Sequence, residues 1–173
     1  LLAGLVLLPG QRRAPLERRL VDRVPSRRRR RPVVQALAGP LASGLITLVD
    51  GRIGIRGSVL FDLSSAELRP EGLALLRQLA PPLRSYLEAQ EQSVMISGFT
   101  DDLPLRPMAD FADNWELSQA RALSVVRFMQ DELGFPPDRM AATGFGEYRP
   151  VAAGDSKEAR AQNRRIELKL TER

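Results

Sequence analysis

The sequence predicts an α+β fold, a βαβαβ sandwich with helices packed on one face of a mixed sheet of four strands or slightly more. Three observations carry that expectation. Strand-like and helix-like runs alternate within a stretch of ordinary single-domain length. An Asp-Gly pair separates two strand-like runs. Near the end, Ile166, Leu168 and Leu170 alternate with Glu167, Lys169 and Thr171 over Arg164 to Thr171, giving one buried and one wet face.

Each element has its own signals. Leu45 to Val49 and Arg52 to Arg56 flank Asp50-Gly51, a hairpin turn whose two positions require positive φ. Ser58 to Phe61 reads as another short strand. Leu63, Ser64 and Ser65 then lead into a first helix, where Pro70 suits a first helical position and Leu73, Leu76, Leu79, Leu83 and Leu87 form an apolar stripe. Pro81 and Pro82 interrupt that stripe, so a kink or two helical pieces are expected. Val94 to Ser97 is a buried strand by its length and apolarity, and Asp102 to Asp113, with Pro104 and Pro107, is a long loop. Asp113 followed by Glu116 makes a capping box that opens a second helix. That helix stops at Gly134, before Pro136 and Pro137. Met140 to Thr143 is a short strand ending in Gly144-Phe145-Gly146, and a brief helix around Ser156 to Ala161 precedes the last strand.

Ahead of these elements lies a different kind of sequence. Leu1 to Leu8 is apolar but shorter than the ~20 residues a membrane-spanning helix needs. It reads as the end of a truncated membrane anchor or signal segment, or as a frayed apolar terminus. Pro9 to Pro32 is Arg-rich, broken by Pro15 and Pro25, and reads as an extended, solvated linker. Residues 1–44 are therefore set apart from a folded domain at 45–173.

Charge follows the same division. Of the net +5, residues 1–34 carry +8 through ten arginines, including the run Arg27 to Arg31, and the remainder carries −3. The domain is mildly acidic and only the tail is basic. The chain has no Cys and no His, which removes thiolate and imidazole as nucleophiles, bases and metal ligands. No cofactor and no metal is expected.

Two charged residues stand out. On a helical wheel Arg121 falls between Leu117 and Phe128 on one side and Val125 on the other. A guanidinium there either snorkels over apolar surface or is held to meet an anion. Asp101 follows Gly98-Phe99-Thr100 where the chain leaves a buried strand, a place that serves equally for ligand contact or for an Asx-turn. Together a carboxylate and a guanidinium on neighbouring elements could clamp a zwitterion, unless they simply pair with each other.

Four ordered blocks then carry a resemblance. Gly98-Phe-Thr-Asp-Asp102, Asp113-Asn-Trp-Glu-Leu-Ser-Gln-Ala-Arg-Ala122, Ala142-Thr-Gly-Phe-Gly146 with Pro150, and Asn163-Arg-Arg-Ile-Glu167 resemble the OmpA C-terminal domain family over roughly residues 57 to 171. The Asn-Trp-Glu-Leu-Ser wording and the long loop before it are similar to the motor-stator branch, MotB and its relatives. The resemblance implies a non-catalytic domain that binds the diaminopimelate-containing stem peptide of peptidoglycan. In it Asp101 and Arg121 would hold the amino and carboxylate groups of diaminopimelate, with Thr100 and Leu117 from the same blocks beside them. Asn114 would line the site or serve as part of the helix cap. Asn163, Arg164 and Arg165 would sit near the rim, one of the two arginines merely solvated. The family often has His where this chain has Phe99. Phe61 matches the aromatic residue of the family's first strand and reads better as a core residue. Gly144 and Gly146 read as a turn requiring small residues rather than as a phosphate cradle.

The resemblance further implies the periplasmic side of the bacterial cell envelope, a membrane anchor in a missing N-terminal segment, attachment to the inner membrane as in the stator branch, a channel-forming stator partner and a homodimer. A wall-tethering lipoprotein or a motor-like defence component would share the domain. Binding of nucleic acid or anionic lipid through Arg27 to Arg31 is the alternative from a different class. The acidic domain lacks a basic stripe with interleaved aromatics, so no nucleic-acid partner is expected. A glycan-cleaving enzyme needs two placed carboxylates, and no motif singles out such a pair.

Overall fold

A computed structural model of the chain describes residue 35 and residues 37–90, 92–107 and 109–171. The apolar start and the arginine run lie outside the described residues. Core contacts begin upstream of Leu45: Leu37 is only 1% exposed, and helix α1 (Ala38–Ala42) follows it.

Strands β1 (Ile46–Val49) and β2 (Arg52–Arg56) form the expected antiparallel hairpin, with Asp50 at φ 49° and Gly51 at φ 75°. Gly57 to Leu60 is a single helical turn, α2, and not a strand. Leu60 and Phe61 are adjacent and both buried, which a strand with one wet face cannot achieve, and an apolar run this short does not distinguish the two forms. Gly57 is needed there because a Cβ would stand 2.9 Å from the carbonyl oxygen of Arg164. Phe61 then bridges to Leu68, closing a loop over residues 62–67.

Helix α3 (Pro70–Gln90) runs unbroken through Pro81 and Pro82, so two pieces are not what forms. Each proline removes one N–H donor, but Leu75, Leu76 and Leu79 before them and Leu83 and Leu87 after them all bury in the same core. Packing on both sides of the gap outweighs the local preference, and Pro81 itself lies on the exposed side.

Strand β3 (Ser93–Phe99), helix α4 (Asn114–Asp131), strand β4 (Met140–Gly144), helix α5 (Lys157–Asn163) and strand β5 (Arg165–Thr171) complete the fold. The five strands form one mixed sheet in the order β1-β2-β5-β3-β4, antiparallel except for the parallel pair β3 and β4. Ile53, Ile55, Val94, Ile96, Ile166 and Leu168 join Leu76, Leu79, Leu83, Val125 and Met129 of α3 and α4 in the core. The cap forms as read, with Asp113 Oδ1 accepting from the Glu116 amide at 2.9 Å, while Glu116 Oε2 reaches one residue past the cap and accepts from the Ala112 amide at 2.6 Å.

Contact between α4 and the sheet is unusually close because glycine faces it. A Cβ on Gly98 would stand 2.1 Å from the Ser118 carbonyl oxygen, and one on Gly144 would stand 2.5 Å from the Gln119 amide nitrogen. Ser118 Oγ donates to the Trp115 carbonyl and accepts from the Gly146 amide, both at 2.9 Å. The Phe145 amide donates to the Gly98 carbonyl, also at 2.9 Å. The Gly-Phe-Gly turn thus spends its amides on the strand and helix beside it, in keeping with the turn reading.

Candidate ligand-binding site

Where β3 ends and α4 begins, a cavity of about 200 Å³ opens. Asp101, Thr100, Asn114, Leu117, Arg121 and Arg164 line it, together with Leu63, Ser64 and the loop from Leu103 to Arg106. Six of the eight residues expected at the site therefore share one cavity. Three separate segments deliver them: the exit of β3, the first turns of α4 and Arg164, just ahead of β5; the loop after Phe61 adds Leu63 and Ser64.

Arg121 is 5% exposed yet carries its charge without a local counter-ion. Among the described residues no carboxylate approaches its guanidinium within 4 Å. Its Nε donates to the Ser65 carbonyl at 2.8 Å and its Nη2 to the Asp62 carbonyl at 3.1 Å. The guanidinium lies 5.2 Å from the ring centroid of buried Phe61, an electrostatically favourable arrangement. Burial lowers its pKa from 12.5 to about 10; the nearby Arg164 charge lowers it further and Asp101 opposes the shift. Two of the five guanidinium N–H groups are engaged, leaving three. The side chain is fixed like a structural arginine but electrostatically arranged like an anion receptor.

Asp101, 7% exposed, is held differently from the simplest expectation. Its Oδ1 accepts from the Leu103 amide at 3.2 Å, which is the Asx-turn alternative realised. Its Oδ2 accepts a short hydrogen bond from Arg164 Nη1. Asp101 and Arg121 are not locked to each other; Arg164 supplies the carboxylate's partner. An ionised carboxylate has about four acceptor positions, so an incoming ammonium can join Asp101 or displace the Arg164 arm. Thr100 Oγ1 is buried without a hydrogen-bond partner at the same strand exit.

The other expected residues divide. Asn114 Nδ2 donates to the Asp101 carbonyl at 3.3 Å, the Leu103 carbonyl at 3.0 Å and Glu147 Oε2 at 2.7 Å, bracing the loop against the helix start. The cap itself is Asp113. Leu117 is a buried apolar wall.

Two residues do not reach the cavity. Asn163 spends its side chain on the backbone of Val151 and Ala152, accepting from both amides and donating to the Ala152 carbonyl, which clamps the preceding loop. Arg165 points to the opposite sheet face, because successive β-strand side chains alternate. There it lies 3.7 Å over the Phe99 ring and donates to Glu167 at 2.7 Å. Neither arginine of the pair is simply solvated. Asp102 is also engaged: Arg160 grips it through two hydrogen bonds of 2.7 and 3.2 Å, which hold its carboxyl below the usual range.

Sequence reasoning missed the segment from Asp62 to Ser65. Its contribution is two backbone carbonyls and a turn with Ser64 at φ 58°. Residue type carries no signal for a carbonyl, although a non-glycine in the left-handed region often marks a constrained site. Among the described residues no cluster of three or more acidic side chains could hold a metal ion.

Comparison with known proteins agrees with this architecture. The OmpA family profile matches residues 60–164. Motility protein B of Bacillus subtilis is 31% identical over 121 residues, which cover 70% of this chain and 45% of that protein. The chain thus spans about half the length of the curated relatives it matches. A MotB-like protein from Desulfovibrio vulgaris superposes with a TM-score of 0.76 at 33% identity, covering 92% of this chain and all of that one. The cell wall anchor of the type VI secretion system from Pseudomonas aeruginosa gives a TM-score of 0.68 at 31% identity, covering 79% and 94%. With its sequence blocks, sheet order and profile match in agreement, the chain belongs to the OmpA family.

Proposed function

We propose that this domain anchors an envelope protein to the cell wall by gripping the diaminopimelate of a peptidoglycan stem peptide, without cleaving it. The observation that carries the reading is a buried guanidinium with spare donors and a buried carboxylate lining one small cavity without pairing to each other. A free amino acid end is both ammonium and carboxylate. Arg121 would take the carboxylate through paired charge-assisted hydrogen bonds, and Asp101 the ammonium. Thr100 Oγ1 would gain a partner that the protein does not give it.

The relatives support a wall-anchoring role, since one is named a cell wall anchor and others are MotB proteins. By the same likeness we extend the proposal to the periplasmic side of the envelope, attachment to the inner membrane, a homodimer and a channel-forming stator partner. No described helix is long and apolar enough to cross a membrane.

The test is co-sedimentation with insoluble peptidoglycan sacculi. Wild type should pellet with the sacculi, while Asp101→Ala and Arg121→Ala should stay largely soluble. Equal retention of all three would show that the cavity is not the site. Retention lost only on removing residues 1–34 would assign it to the arginine tract.

A further inference from the structure

Beside the cavity runs a second, wider groove of about 560 Å³, sharing Pro104, Leu105, Arg106 and Asn114 with it. Its floor includes Trp115 and Tyr148, whose rings stack at 5.1 Å between centroids and 25° between planes. They remain 48% and 62% exposed. Of the seven large hydrophobic residues exposed among the described residues, four surround the cavity and this groove: Leu63, Leu103, Trp115 and Tyr148. Apolar exposure gathered at a cleft marks a contact surface, whereas scattered single residues would not.

The platform is built into the fold. Gly146, at φ 55°, passes close to both rings, so that even a Cβ there would contact Tyr148 at 3.4 Å and Trp115 at 3.6 Å. Trp115 sits on the first turn of α4, two residues after its cap and six before Arg121. Asn114 ties the two hollows together, touching the Asp101 and Leu103 carbonyls on one side and Glu147 on the other. Glu147 and Arg106 supply polar groups at the groove's edge.

From this geometry we infer that Trp115 and Tyr148 form a sugar-binding subsite that takes a pyranose ring of the glycan strand while the cavity holds the attached peptide. This rests on the peptide-anchor reading above. A flat aromatic face with polar groups at its edge suits a ring that presents C–H bonds on its face and hydroxyl or acetamido groups around its rim. The shared wall provides continuity, because the stem peptide and its sugar are covalently joined. Glu147 would accept from a hydroxyl or amide N–H, and Arg106 would donate to a carbonyl or carboxylate.

The test compares three ligands by calorimetry: a stem tripeptide containing diaminopimelate, the same tripeptide on its disaccharide, and the disaccharide alone. Wild type should bind the disaccharide-tripeptide roughly tenfold more tightly than the tripeptide. Trp115→Ala and Tyr148→Ala should lose that gain while keeping wild-type affinity for the tripeptide. Trp115 is the chain's one tryptophan, so its emission should change with the sugar-bearing ligand and not with the tripeptide. No gain from the sugar, or a loss in both variants that extends equally to the tripeptide, overturns the subsite and leaves the anchor reading standing. A wild type that binds none of the three overturns both.

Discussion

Gly98→Ala should uncouple the two charged arms of the cavity, and the size of the effect follows from one distance. A Cβ at residue 98 would meet the Ser118 carbonyl oxygen at 2.1 Å and its carbonyl carbon at 2.9 Å. Ordinary contact begins at 3.4 Å, so strand and helix must separate by 1.3 Å along that line. Both clashing atoms belong to helix backbone, so no side chain can rotate away. Overpacking of this kind costs about 1–3 kcal/mol, and the rigid obstacle favours the upper end. For a unit of about this size, ~3 kcal/mol lowers the melting temperature by roughly 10 °C. Gly98 lies three residues before Asp101, and Ser118 three before Arg121, so the same displacement widens the gap between carboxylate and guanidinium. Displacements on the order of 1 Å are enough to spoil a preorganised site. Thermal unfolding followed by circular dichroism reads the first effect, and sacculus co-sedimentation well below the melting temperature reads the second. Gly39→Ala is the control, since nothing lies within 4 Å of its added Cβ and it sits inside α1. A Gly98→Ala protein that melts and sediments like wild type would refute the claim that this contact sets the site's geometry.

Other expectations follow from single interactions. Asp113→Ala removes the acceptor for the Glu116 amide and should destabilise the domain by about 1 kcal/mol, read as a shift in the urea midpoint; an unchanged midpoint would argue against the cap. Asn163→Ala should cost about 1–3 kcal/mol because three backbone groups lose their partner. Its affinity for the stem tripeptide should match wild type at a temperature where it is folded, and a large loss of affinity would return Asn163 to the site. Pro81→Ala should raise the melting temperature, by about 1–3 kcal/mol of added stability, since it restores a helix donor at an exposed position; a lower melting temperature would mean that the proline is structurally required. Binding should weaken as pH rises through about 10, where Arg121 loses its proton from the folded protein. The charge that attracts a carboxylate is present below that pH and lost above it, so binding that strengthens from pH 9 to 11 would contradict the assigned role.

How much of this was legible in the sequence depends on whether an element is decided locally. The Asp50-Gly51 turn and the Asp113 cap are local chemistry and formed as read, while the helix stop came slightly early, at Asp131, with Gly134 at φ 64° just beyond it. Ser58 to Phe61 misled because a run with only three apolar residues, Val59 to Phe61, suits a strand or a helical turn equally, and the chain passes Arg164 closely at Gly57. The double proline misled in the other direction, where a shared core on both sides outweighed a local break. At the site, Arg121 was visible as a charge on an apolar helix face. Its carbonyl partners at Asp62 and Ser65 were invisible, because they lie 59 and 56 residues away and use no side chain. The opposite fates of Arg164 and Arg165 rest on strand parity, which requires knowing where β5 begins.

Anchoring of this kind depends on a grip on both charges of one amphoteric group. Calorimetric titration of the domain with two stem tripeptides tests it most directly, one containing diaminopimelate and the other lysine at the same position. Lysine keeps the side-chain ammonium for Asp101 but lacks the carboxylate for Arg121. The diaminopimelate peptide should bind at least about tenfold more tightly, as loss of a charge-assisted pair implies, and Arg121→Ala should abolish the difference. Equal affinity for the two peptides in the wild-type domain would contradict it.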